Sequence, residues 1–218
     1  MKKYLAITLV TLMLTGILFS CKKSNTSTPK DYTASIKDKT WWGQLTYTGQ
    51  TAEYYSVHFN ADGSLQWSQL SGDYTGHWVV NDKQLIMTFD ANSVRIEAEI
   101  GDDNKLGNIT ATTNYYVVNS GELVANPNLP LDNTSWKGTY FNGSSQQPLQ
   151  FSFSPGLKIS ITFGSFPTQV NTYTRSSSGA VIRYGVGGMY PFFGVVASGN
   201  LMKGSEQDFR FPWQAIKQ

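Results

Sequence analysis

The chain has a single cysteine, Cys21, among 218 residues. No internal disulfide can form, and no thiolate cluster can hold a metal. Only two histidines, His58 and His77, are present, so imidazole chemistry has few participants. Charged residues amount to 15%, and no basic stripe of the kind that tracks phosphates occurs, which argues against nucleic acid as a partner. Also missing is any window with apolar residues at helical spacing between good caps. What the chain has instead is Gly, Ser, Thr, Asn and aromatic residues. Those residue types favour strands and tight turns.

The first twenty-one residues carry an address. Lys2 and Lys3 precede an uninterrupted apolar or small run from Tyr4 to Phe19, and Ser20 stands just before Cys21. This is the layout of a secretory signal peptide, and the run is shorter than the ~20 residues a helix needs to span a bilayer. Leu18-Phe19-Ser20-Cys21 resembles the bacterial lipobox, although Phe19 is bulkier than the commonest residue at its position. The resemblance implies a diacylglycerated Cys21 sulfur, cleavage just before it and acylation of the new amine. Several acyl chains hold a protein on a membrane durably where one does so marginally. A soluble secreted protein with an incidental cysteine is the alternative. Lys22, not Asp, follows Cys21, so the inner-membrane retention signal of enteric-type lipoproteins is absent and the outer membrane is expected. No acid precedes Asp31, unlike the surface-flipped lipoproteins of Bacteroidetes-type bacteria, which points to the periplasmic face. Residues 21–37 read as the lipidated cysteine and a polar, flexible tether.

Beyond the tether, period-2 alternation recurs. Tyr55, Val57 and Phe59 alternate with Tyr54, Ser56 and His58, and Val94, Ile96, Ala98 and Ile100 alternate with Arg95, Glu97 and Glu99. A sheet with one dry face requires this pattern. The chain also repeats itself. Thr40-Trp41-Trp42-Gly43 is answered by Ser135-Trp136-Lys137-Gly138, and Val57 to Leu65 by Phe151 to Leu157. Ile96 to Gly107 is answered by Phe193 to Gly204. Trp42 lies 64 positions before Leu106, and Trp136 lies 65 before Leu201. Landmarks kept in order at matched spacing mark a duplicated module: residues 38–126 and 132–218, joined by a linker at 127–131 that holds Pro127 and Pro130. Asp62-Gly63 and Pro155-Gly156 supply one tight turn per copy. Eight strands are expected in the first copy, at 42–48, 54–59, 65–68, 76–80, 84–90, 94–100, 106–112 and 115–119. A meander of this kind removes its edges by closing into a barrel. The fold class is therefore all-β, with two small antiparallel barrels; one larger barrel or sandwich built by both repeats is the alternative.

The copies resemble the lipocalin-like, calycin-type lipoproteins of Bacteroidetes-type bacteria. Their barrels open with Trp-x-Gly, as Trp42-Gly43 and Trp136-Lys137-Gly138 approximately do. They close with a Gly-Asn-x-Met-x-Gly-like turn and an aromatic strand, as Gly199-Asn200-Leu201-Met202-Lys203-Gly204 and Phe209 to Trp213 do. The first copy departs from this ending, with Leu106-Gly107 and no Met. Membership implies that the opening tryptophans seal the barrel floor and that a mouth holds a small apolar molecule; it implies no chemistry.

The side-chain inventory contains no ordinary catalytic set. His58 and His77 read as rim or surface histidines, and Glu97 and Glu99 as an ion-paired solvent face with Arg95. Asp102-Asp103-Asn104 is oxygen-rich, yet a turn needs those residues anyway. Ser176-Ser177-Ser178-Gly179 lacks a nucleophile elbow, and Gly185-Val186-Gly187-Gly188 lacks the helix and lysine of a phosphate loop. No cofactor and no metal site is expected, and the chain is not expected to be an enzyme. The expected function is that of an outer-membrane-anchored, non-catalytic module binding a small apolar molecule, lipid or glycan, with Trp67, Trp78, Tyr184, Tyr190 and Phe192 as candidate contacts. The alternative is an accessory subunit docking a cell-envelope partner, with Tyr190-Pro191-Phe192-Phe193 as the candidate patch. Residues 38–126 carry 11 acids and 4 bases, and residues 132–218 carry 3 acids and 7 bases. Opposite signs would favour docking of the two copies on each other, and divergence after duplication explains them equally.

Overall fold

The computed structural model describes residues 30–91, 93–186, 190–206 and 211–218, and of residues 186, 190 and 191 the backbone alone. Cys21 and the signal segment lie outside the described residues. Two separate, closed, eight-stranded antiparallel barrels form. The first contains β1 (Lys39–Tyr47), β2 (Ala52–Phe59), β3 (Ser64–Gln69), β4 (Gly72–Asn81), β5 (Gln84–Phe89) and β6 (Arg95–Ile100). It is completed by β7 (Lys105–Ala111), β8 (Tyr116–Val118) and β9 (Gly121–Leu123). Closure comes from β1, which pairs with β2 on one side and with β8 and β9 on the other. β8 and β9 are two halves of the eighth stave, interrupted at Asn119-Ser120. The second barrel contains β10 (Thr134–Phe141), β11 (Gln146–Ser154), β12 (Lys158–Phe163) and β13 (Gln169–Arg175). β14 (Val181–Val186), β15 (Tyr190–Ser198), β16 (Leu201–Glu206) and β17 (Pro212–Lys217) follow, and β17 seals against β10. A single shared barrel is thereby excluded, because each copy closes on itself.

Period-2 alternation sends one face of every strand inward. Trp41, Leu45, Tyr55, Val57, Phe59, Leu65 and Trp67 fill the first barrel. Trp136, Phe151, Phe153, Phe192, Met202 and Trp213 fill the second. The Asp62-Gly63 and Pro155-Gly156 turns close their hairpins as expected, with Gly63 at φ +85° and Gly156 at φ +80°, a region open to glycine at no steric cost. The counterpart of Trp136 is Trp41 rather than Trp42. Both Trp41 and Trp136 are 0% exposed, so the first copy carries a full Trp-x-Gly in Trp41-Trp42-Gly43, and Trp42 points outward. The glycine is required by contact: a Cβ on Gly43 would lie 1.9 Å from the Ser120 carbonyl oxygen, and one on Gly138 would lie 1.8 Å from that of Gln214.

Each barrel has a stoppered floor that the tether and linker readings miss. α1 (Tyr32–Ile36) is a five-residue helix whose N-cap, Asp31, accepts from the Ala34 amide at 3.2 Å. Its Tyr32 and Ile36 join the first core, and the Tyr32 hydroxyl donates to Asp102 at 3.0 Å in the β6–β7 turn. Order thus begins inside the segment read as tether, because two apolar side chains on successive turns are buried together. In the second barrel the linker residues Leu129 and Leu131 take this place. Arg175 holds them by donating to the carbonyls of Pro127, Leu129 and Gly179.

The barrels dock through their outer faces. Trp42, Tyr54, Leu70 and Val124 form one buried apolar cluster with Ala180, Val181, Phe193, Val195 and Ala197. Lys203 lies over Trp42 and Tyr54, 5.0 and 5.9 Å from the ring centres. An ion pair adds to this: Arg183 donates to both carboxylate oxygens of Asp73 at 2.8 Å and to the Gln69 carbonyl at 2.9 Å. Among the described residues the contact is therefore an apolar patch flanked by the Lys203 ammonium and the Arg183–Asp73 ion pair. Phe192 and Phe193 are consumed by it and by the second core, so they present no exposed patch.

Candidate functional site

The floor of the first barrel is closed by α1, so its accessible end is the one formed by the β1–β2, β3–β4, β5–β6 and β7–β8 connections. Register fixes which side chains reach it. Tyr47 pairs with Tyr116 across β1 and β8, Tyr55 with Gln69 across β2 and β3, and Trp67 with Tyr74 across β3 and β4. Paired residues share a face, and this face is inward. The result is a cavity of about 60 Å³ lined by Tyr47, Trp67, Gln69, Tyr74, Phe89 and Tyr116.

Packing and hydrogen bonds hold this lining in place. Trp67 stacks on Tyr55 at 3.9 Å between centres and meets Phe89 edge-on at 5.6 Å; Tyr47 meets Tyr116 edge-on at 5.5 Å. Gln69 wires the polar edges together. Its Oε1 accepts from the Trp67 indole at 2.8 Å, and its Nε2 donates to the Tyr47 hydroxyl and to Ser71 Oγ, both at 2.6 Å. Ser71 Oγ lies 3.3 Å from the Tyr74 hydroxyl.

One buried acid lies near Tyr47, outside the lining of the cavity. Glu53 is 0% exposed and pairs with Leu45 of the core, which places its side chain on the inward face one alternation from Tyr55. Burial pushes the Tyr47 phenol above its usual range; a hydrogen bond from Gln69 opposes this and the Glu53 charge adds to it. Burial also raises Tyr116, to about 12, with Tyr47 and Tyr74 contributing. The phenols therefore stay protonated and neutral around neutral pH. The mouth offers ring faces, phenol hydroxyls and the Gln69 amide.

Of the five expected contacts, Trp67 lines this cavity. Trp78 faces inward near the opposite end, packed edge-on against Phe59 and donating to the Asn60 carbonyl at 3.0 Å. Tyr184 and Phe192 lie in the second core, where Phe192 stacks on Trp213 at 4.5 Å. The Tyr190 side chain lies outside the described residues. Sequence alone missed Tyr47, Gln69, Tyr74, Phe89 and Tyr116. The inward parity of Tyr55 and Trp67, extended toward the loop end of each strand, was the signal that reaches them.

The remaining chemical candidates are dispersed. His58 accepts or donates at 2.9 Å with Thr40 Oγ1, and burial lowers its pKa, with Asp38 opposing. His77 stands at the surface 3.7 Å from Asp90. Glu97 is held by Arg95 at 2.7 Å and by Gln84, and Glu99 by Asn108. These two acids border an outer-face groove of about 470 Å³. Among the described residues no group of three or more His, Cys, Asp or Glu side chains converges as a metal site would. No known family model and no curated protein matches the sequence.

Proposed function

We propose that this chain is a lipocalin-like outer-membrane lipoprotein of Bacteroidetes type, anchored through acylated Cys21 on the periplasmic side, whose first barrel binds a small molecule end-on at its mouth without transforming it. The observation that carries this reading is the wired aromatic cavity between Tyr47, Tyr74 and Tyr116 above Trp67. Its volume of about 60 Å³ falls well below the ~300–1,000 Å³ of pockets that swallow whole ligands. A terminal group enters, and the rest of the ligand stays outside. The test is native mass spectrometry of residues 22–218 purified from their own envelope, beside Tyr116→Arg, which fills the mouth with a long cation. A bound small molecule present in the parent and absent in the variant supports the reading. The same adduct on both proteins, or none on either, counts against it.

The accessory-subunit reading draws on the rim. Tyr115 is 76% and Val117 61% exposed, two large side chains displayed on the rim-side face of the same stave. Photocrosslinking from position 115 in intact cells tests it: a reproducible envelope-protein adduct supports docking, and self-adducts alone oppose it.

A further inference from the structure

We propose that the seam between the two barrels carries a second binding site, a cleft that takes one sugar ring of an uncharged glycan. The cleft has a volume of about 220 Å³ and is lined by Tyr54 from the first barrel and by Thr139, Gln146, Pro212, Trp213 and Gln214 from the second. It is distinct from the mouth cavity and does not depend on it. Register builds its wall. Thr139 pairs with Gln214 across β10 and β17, and Phe141, two residues further along β10, pairs with Gln146. Paired residues, and residues two apart on one strand, share a face. Trp136 and Trp213 point into the core, so this face is the outer one. Tyr54 stands near the β1–β2 end of its strand, and its amide donates at 3.3 Å to Ser205 Oγ, near the β16–β17 end of β16. The cleft therefore lies at the ends of both barrels away from α1 and from Leu129 and Leu131.

No lining residue carries a charge. Two carboxamides and a hydroxyl converge, from Gln146, Gln214 and Thr139, and among the described residues none of the three side chains bonds to another protein group. Each both donates and accepts, as a sugar hydroxyl does. The outer-face groove on β5–β7 lacks this feature, because Gln84 is spent on Glu97 and Asn108 on Glu99. Carbon surface lies beside the polar groups. The Tyr54 ring is fixed against Trp42 at 6.1 Å, and Pro212 adds to it. Phe141, on the same outer face, meets Phe211 edge-on at 6.1 Å and extends this surface beyond the cleft. A sugar ring carries both kinds of surface, hydroxyls round its edge and C–H groups on its faces. An acyl chain would strip water from the amides and return no hydrogen bond. An anion would find no cation in the lining, and the neighbouring Lys203 already lies over the rings of Trp42 and Tyr54. The volume is below the ~300–1,000 Å³ of sites that enclose a drug-sized ligand. One ring enters, and the chain continues along the outer face past Phe141. The first barrel supplies Tyr54 and the second the amides, so the site exists only in the docked pair.

The probes are three neutral trisaccharides: chitotriose, cellotriose and maltotriose. Each is titrated into residues 22–218 while NMR follows the side-chain amide protons of Gln146 and Gln214 and, as reporter of the first mouth, the Trp67 indole N–H. At least one probe is expected to give saturable shifts of both glutamine amides with Trp67 unmoved. By calorimetry, the double variant Gln146→Ala with Gln214→Ala should bind that probe roughly tenfold more weakly or worse. Gln84→Ala, in the β5–β7 groove, should bind it as the parent does. Both cleft glutamines are exposed, and circular dichroism confirms that the variants fold. Shifts confined to Trp67 would place the sugar in the mouth, overturning the seam site and leaving end-on binding standing. Binding lost in Gln84→Ala and kept in the double variant would move the glycan to the other groove and overturn the proposal too. Absence of saturable shifts with all three probes does the same.

Discussion

Replacing Arg183 by Met cuts the Arg183–Asp73 link between the barrels and loosens the hairpin that carries the mouth. Arg183 grips the β3–β4 connection through Asp73, the Gln69 carbonyl at 2.9 Å and the Gly72 carbonyl at 3.3 Å, and Gln69 is the residue that wires Trp67 to Tyr47. Charge-assisted hydrogen bonds contribute ~1.5–3 kcal/mol where they are shielded. Here the Arg183 and Asp73 side chains are 27% and 45% exposed, and solvent screening reduces the pair to about 1–2 kcal/mol. A double-mutant cycle with Asp73→Asn in urea unfolding measures this coupling directly. The pH dependence has a defined sign. Burial by itself would raise the Asp73 carboxyl, but hydrogen bonds from Arg183 and Ser68 outweigh it and hold the pKa below its usual value. A folded pKa below the unfolded ~3.9 gives stability that is present above that value and lost as pH falls through the folded pKa. Parent protein should therefore lose stability on acidification in this range more steeply than Arg183→Met. A coupling energy under about 0.3 kcal/mol, within the scatter expected of independent sites, would refute the clamp. Parallel acid profiles for the two proteins would do the same.

Gly138→Ala should cost more than the ~1–3 kcal/mol typical of overpacking, because its Cβ would land 1.8 Å from the Gln214 backbone oxygen. Gly107→Ala, with nothing within 4 Å of its Cβ, should leave the melting temperature nearly unchanged, and calorimetry of the two compares them. Ultraviolet titration should find Tyr116 ionising near pH 12. A raised folded pKa gives stability that is full below the unfolded ~10 and lost as pH climbs through 12; a phenol in Tyr116 titrating near 10 would show an open, hydrated mouth. Cys21→Ser should leave both barrels folded and move the protein from the membrane to the soluble fraction. Continued fractionation of that variant with lipid in detergent-free washes would transfer the membrane contact from the acyl chains to the barrels.

The duplication and the closed all-β architecture were legible because both rest on local rules, alternation and turn chemistry, repeated at matched spacing. The floors were not. α1 is five residues long, too short to show a helical period, and it is held by the barrel beneath Tyr32 and Ile36 rather than by its own propensity. Leu129 and Leu131 looked like linker because prolines flank Leu129, yet Arg175 turns that segment into a stopper. The Trp41-for-Trp42 shift has the same origin: two adjacent tryptophans occupy opposite faces of one strand, and only closure decides which is inside. For the site, Trp67 was readable from parity. Tyr47, Gln69 and Tyr116 were not, because their convergence depends on long-range register: β1 meets β8 some seventy residues later in the chain, Tyr47 opposite Tyr116.

The most direct test of the central claim follows the indole N–H signals of residues 22–218 while small molecules extracted from the native envelope are added. Binding at the mouth of the first barrel should shift Trp67 and the amides of Gln69, Tyr74 and Tyr116, and leave Trp136 in the second core unmoved. Saturable shifts at Trp136 and Trp213 with Trp67 unchanged would place the ligand in the other barrel and contradict the account.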